Sequence, residues 1–149
     1  MPMYRRLLVP VDGSDLSDRA IDASIDLAQQ LGAAITGFVA EPLQLPPSGP
    51  RPRARLDEEA REHDAVTTAH AQQVLARFEA RAREAGVAFE GYHDQVPRID
   101  RAIIEAAESR GCDLIVMVTH GRGPFGEFLF GSHTKAVLAG SKLPLLVLH

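Results

Sequence analysis

Two short stretches of this chain carry residue types suited to holding a phosphorylated ligand. One is Pro10-Val11-Asp12-Gly13-Ser14. The other runs from Thr119 through His120, Gly121, Arg122, Gly123, Pro124, Phe125 and Gly126 to Gly131-Ser132. The second stretch spells G-x-G-x-x-G at Gly121, Gly123 and Gly126, but the context rejects a dinucleotide fingerprint. That fingerprint belongs in the first strand-to-helix turn and needs an acidic residue about 20 positions on; no Asp follows Gly126. No Lys-Ser/Thr pair closes the loop, so it is not a P-loop either. The informative spacing is Gly121, nine residues, then Gly131-Ser132. If a helix opens at Ser132, its unpaired N–H groups and positive dipole end suit a phosphate. The helix start at Ser14 suits one less, because Asp15 and Asp18 already occupy its first turn. Around Ser132 stand His133, Lys135 and, earlier in the loop, Arg122. The spacing alone leaves a second reading open, in which Ser132 only caps the helix and the glycines only shape a turn.

Other reactive side chains have plainer readings. His120 sits where a general base could, yet no Ser or Cys nucleophile has a place beside it, so it reads as a structural loop histidine. Asp12 is either a functional carboxylate or a turn former ahead of Gly13. His63 and His70 lie two helical turns apart, too far to share a metal, and read as a solvated face with Glu58, Glu59 and Glu62. The single cysteine, Cys112, excludes an internal disulfide and a cysteine-based zinc site. It reads as a core-edge residue in a reducing compartment.

The elements that must position these residues follow from periodicity. Arg6 to Val11, Ala33 to Ala40, Val87 to His93, Leu114 to Val118 and Pro144 to Leu148 read as strands, and LIVMV at Leu114 is an unbroken apolar run as a central parallel strand requires. Helices are expected over Asp15 to Leu31, Glu58 to Ala85, Arg98 to Arg110 and Ser132 to Ala139. Ser14 is the candidate N-cap of the first helix, and Gly32 its stop. Five of ten prolines fall between Pro42 and Pro52, so residues 41–57 read as a mobile loop within one domain spanning 1–149. Strand–helix alternation argues an α/β fold: an open parallel sheet with helices on both faces. Right-handed crossovers give the strand order 3-2-1-4-5, with both ligand loops at the switch point between strands one and four.

From Leu7 to Leu148 the chain resembles the universal stress proteins of single-domain bacterial type. The carriers are LLVPVDGS with SDRAIDAS, then CDLIVMVTHGRG, then FLFGSHTKAVLAGSKLPLLVLH. The resemblance implies a Rossmann-like domain that binds ATP through G-x-x-G-x9-G-S/T and acts in stress response or signalling. Mg²⁺ is expected with the nucleotide, and any ATP hydrolysis is expected to be slow, because no convincing base accompanies the phosphate cradle. The resemblance places Asp12 and Val39 at the adenine, with Met117 beside it; Pro10 and Val11 join them as candidate cofactor-binding residues. It places Gly121, Gly131, Ser132 and Thr134 at the phosphates, and Val118, Arg122 and His133 complete the candidate cofactor-binding set. The first motif glycine is replaced by Val118, whose β-branched side chain would crowd the ribose. His133 stands where a small apolar residue is usual.

Composition bounds the partners. The net charge is −4, and the only basic cluster, Arg51, Arg53 and Arg55, lies among prolines, so nucleic acid is not expected. No apolar run approaches a membrane span or a signal peptide, which points to the cytoplasm. Leu143 to His149 would form an apolar edge strand, so a homodimer through it is expected. The resemblance points the same way. The rival function is a dimeric adaptor of the same fold that works through a regulatory protein partner and binds no nucleotide.

Overall fold

A computed structural model describes residues 3–42, 53–118 and 126–148. In chain order the elements are β1 (Arg6–Pro10), α1 (Asp15–Leu31), β2 (Ala34–Pro42), α2 (Arg53–Glu84), β3 (Phe89–Val96), α3 (Ile99–Ser109), β4 (Leu114–Val118), α4 (Gly126–Gly140) and β5 (Leu145–Leu148). The strands form one five-stranded sheet of order β3-β2-β1-β4-β5, and every pairing is parallel. The expected order and switch point are therefore present.

Each face of the sheet carries its own core. Leu7, Val9, Val116 and Val118 point to the side covered by α1 and α2, where Ile21, Ile25, Val74 and Phe78 meet them. Leu8, Ile115 and Met117 point to the other side, against Ile103 and Ala106 of α3 and Val137 of α4. The period-2 alternation of each strand sorts its residues between these two cores. The Asp113 carboxylate accepts the backbone N–H groups of Arg5 at 2.8 Å and Arg6 at 3.1 Å. That contact fixes the start of β1 beside β4, and so sets the two strand ends that flank the switch point.

Helix α1 has the expected bounds. Gly32 stops it in a left-handed conformation (φ 66°), and the Ala33 N–H closes on the Ala28 carbonyl at 2.9 Å. Ser14 occupies the N-cap position without a side-chain capping bond, because its hydroxyl donates to Asp12 instead. Other boundaries differ from expectation. α2 begins at Arg53, so the proline-rich connection is shorter than 41–57: no proline follows Pro52 there, and RARLD is helix-compatible. β2 runs on to Pro42, and β3 follows it in register to Val96, opposite Pro42. α4 begins at Gly126 rather than Ser132; the intervening Glu127, Phe128, Leu129 and Phe130 carry no breaker between the two glycines.

Burial pushes the Cys112 thiol above its ordinary value of 9.0, and the Thr36 hydroxyl and Arg6 oppose that only partly. Burial likewise raises the Tyr92 hydroxyl, with Asp94 adding to it. Both groups hold their protons more tightly folded than unfolded. Their contribution is thus fully present below the unfolded values and lost as pH rises from 9.0 upward. Cys112→Ala should flatten the alkaline stability loss measured by denaturant melts at pH 8 to 10. The native thiol should resist alkylation at neutral pH until the protein unfolds.

Candidate functional site

A cavity of about 380 Å³ opens at the carboxyl ends of β1, β2 and β4, the place where open α/β sheets bind ligands. Pro10, Val11 and Asp12 line it from the end of β1, and Val39, Ala40 and Glu41 from β2. Met117 contributes from β4, Ile99 and Ile103 from α3, His70 from α2 and His133 from α4. Val11 and Val39 belong to one core and Ile103 and Met117 to the other. The cavity therefore lies where the sheet ends and its two faces come together. Its inner wall is apolar, with Val39 1% and Met117 3% exposed; Asp12, Glu41, His70 and His133 supply the polar groups.

The turn after β1 is built by its own side chains. Asp12 Oδ1 accepts from the Ser14 N–H at 3.0 Å, the Ser14 hydroxyl at 2.6 Å and the Ser17 hydroxyl at 2.7 Å. Ser17 Oγ in turn accepts the backbone N–H groups of Asp12 and Gly13. Asp12 is thus a turn former that also lines the cavity. Gly13 holds φ at +87°, and a Cβ there would lie 2.9 Å from both the His70 ring and Val74. His70 Nε2 stands 3.0 Å from the Asp12 carbonyl. A histidine that reads as part of a solvated face is therefore a wall of the cavity and a strut for the turn.

A search of family models matches residues 3–149 to the Universal stress protein family. The chain belongs to that family. A universal stress protein of Methanocaldococcus jannaschii is 29% identical over 150 residues, covering 97% of this chain and 82% of the relative. A universal stress protein solved in complex with cAMP superposes with a TM-score of 0.69 at 24% identity, covering 99% and 98% of the two chains. The universal stress protein of Archaeoglobus fulgidus in complex with dAMP gives 0.63 at 19%, covering 99% of each. At these identities the two complexes establish the shared fold.

The fold brings together six residues of this universal stress protein that the sequence singles out: Pro10, Val11, Asp12, Val39, Met117 and His133. Thr134 is buried on α4, and its hydroxyl has no hydrogen-bond partner among the described residues, but it is not among the described residues that line the cavity. Gly121 and Arg122 lie outside the described residues. Gly131 and Ser132 stand in the second turn of α4, not at its start, so their N–H groups are not the free ones of the helix terminus. Sequence reasoning missed Ala40, Glu41, His70, Ile99 and Ile103. Ile99 and Ile103 stand four residues apart on α3, a spacing that marks a buried stripe and gives no hint that one end of it is uncovered.

Val118 departs from the expectation of a residue crowding the ribose. Its side chain is 5% exposed within the core beneath α1, facing away from Met117, because neighbours on a strand point to opposite faces. Val118→Gly should cost about 3 kcal/mol, from the lost apolar contacts and the gained backbone freedom. A thermal melt should show Tm lowered by about 6–12 °C, with no gain in nucleotide affinity.

Proposed function

We propose that this universal stress protein is a regulatory module that binds an adenine nucleotide in the cavity at the β1–β4 switch point, with ATP and Mg²⁺ as the full ligand. The observation that carries this reading is the cavity itself. It has an apolar inner wall for a base and polar groups nearer the strand ends, and its volume lies in the range of small-ligand sites, about 300–1,000 Å³. The two relatives solved with cAMP and dAMP support it, since both ligands share adenine, a sugar and one phosphate.

In this reading Val39 and Met117 hold the base, and Pro10, Val11 and Asp12 border it. The phosphates run toward α4, where His133 faces the cavity. Gly121, Arg122, Gly131, Ser132 and Thr134 join the phosphate side on sequence grounds alone. Among the described residues no group of three or more side chains is placed to hold a metal ion, so Mg²⁺ would arrive with the phosphates. The module acts by binding, in the cytoplasm, with ATP hydrolysis slow at most. Calorimetric titration with ATP·Mg²⁺, AMP and GTP·Mg²⁺ tests this. Saturable one-site heat is expected for both adenine nucleotides and not for GTP. Silence from both adenine ligands would overturn the reading.

A second reading, a dimeric adaptor with a regulatory protein partner, is favoured by β5. It pairs with β4 at the sheet edge, and Leu145 to Leu148 are each only partly buried. An apolar edge invites pairing with a second copy. Light scattering should give a dimer at micromolar concentration and a monomer for Val147→Lys. A monomeric parent would remove this interface from the account.

A further inference from the structure

Among the described residues that line the cavity, Asp12 and Glu41 bring the acidic side chains, and Asp12 already accepts three hydrogen bonds within its own turn. One oxygen of Glu41, Oε1, is buried with no hydrogen-bond partner among the described residues. A carboxylate oxygen withdrawn from water without a donor is costly, and a carboxylate can satisfy it only by accepting. A rotation of the side chain that turns this oxygen to the cavity would let a ligand supply the donor.

We infer that Glu41 is the ribose-binding residue of this site, accepting hydrogen bonds from the sugar's 2′- and 3′-hydroxyls. The inference rests on the nucleotide reading above and adds a sugar specificity to it. Three observations converge. The phosphates are excluded as Glu41's partner, because they are anionic acceptors. Val39 and Glu41 are two residues apart on β2 and so share a face of the sheet. Val39 is deeply buried, and Glu41 lies one residue from the strand's end at Pro42. A base seated against Val39 therefore places its sugar outward, toward Glu41. Finally, the end of the second strand of a βαβ unit is where dinucleotide-binding sheets station an acidic residue for the ribose hydroxyls. Glu41 holds that topological position although this chain lacks the glycine fingerprint. The backbone there is fixed by β-pairing, with Glu41 opposite Gln95 of β3, so the side chain starts from a rigid base.

The test is calorimetry of AMP, 2′,3′-dideoxy-AMP and IMP against the parent, Glu41→Gln and Glu41→Ala. The parent should prefer AMP over the dideoxy ligand roughly 10- to 100-fold, the span of hydrogen bonds to a charged group. In Glu41→Ala that ratio should fall to about one, through loss of AMP affinity with dideoxy affinity unchanged. Removing a buried oxygen that lacks a partner should also leave the ligand-free Tm of both variants no lower than the parent's. Glu41→Gln keeps the shape should the alanine variant fold poorly. Equal binding of AMP and the dideoxy ligand by the parent, or a preference that survives both substitutions, overturns the inference alone. So does a Glu41-dependent preference for AMP over IMP with none over the dideoxy ligand, which would assign the carboxylate to the base. If no adenine nucleotide binds the parent, the nucleotide reading fails and this inference with it.

Discussion

Ala40→Trp is expected to abolish adenine-nucleotide binding, with affinity falling at least about 100-fold, while the protein stays folded. Ala40 is partly buried, lies on β2 between Val39 and Glu41, and lines the cavity. An indole there would occupy the space proposed for the ligand. The position is not sealed in the core, so overpacking should cost only about 1–3 kcal/mol. Circular dichroism would confirm the fold and calorimetry the loss. Undiminished binding by a folded Ala40→Trp protein would place the ligand elsewhere.

Gly13→Ala is expected to cost about 3 kcal/mol, and Tm about 6–12 °C. Two effects add. A φ of +87° strains any residue with a Cβ, at about 1–2 kcal/mol. The new carbon would also meet the His70 ring and Val74 at 2.9 Å, an overpacking that adds roughly 1–3 kcal/mol. Gly111 supplies the control: it too has positive φ (68°), but a Cβ there meets nothing within 4 Å. Gly111→Ala should therefore cost only about 1 kcal/mol. His70→Ala should recover part of the Gly13→Ala loss, and a double-mutant cycle by denaturant melts would measure that coupling. Equal costs at the two glycines would mean that the turn does not lean on α2.

The architecture was legible because each strand and helix states its own period. LIVMV at β4 can only be a strand buried on both faces, and the DLSDRAIDASIDLAQQL stripe ended by Gly32 marks α1 to the residue. Crossover handedness then gives the sheet order. The observed helix starts depart from the expected ones where glycine and proline stand beside helix-forming residues. Arg53 starts α2 one residue after Pro52, and α4 runs from Gly126 through Gly131, because their neighbours favour helix and tertiary packing outweighs a local penalty. Half of the site was legible for a similar reason: Pro10 to Asp12, Val39 and Met117 sit at strand ends, and strand ends at a switch point converge. Glu41, His70, Ile99 and Ile103 were not, because membership of the cavity depends on how α2 and α3 cross the sheet. Val118 shows the converse. Position in a motif suggested contact with a ligand, while strand alternation turns its side chain into the core.

The location of the ligand can be read from one atom. The chain has three methionines, Met1, Met3 and Met117; Met3 is 80% exposed near the amino terminus, and Met117 lines the cavity. Methyl-¹³C-methionine labelling therefore gives three signals, one of which reports on the proposed base site. On titration with AMP the Met117 methyl resonance should shift progressively and saturate, moved by the ring current of an adjacent adenine, while Met1 and Met3 stay in place. A Met117 signal that does not move at millimolar AMP, or a shift confined to Met1 or Met3, would contradict nucleotide binding at the β1–β4 switch point.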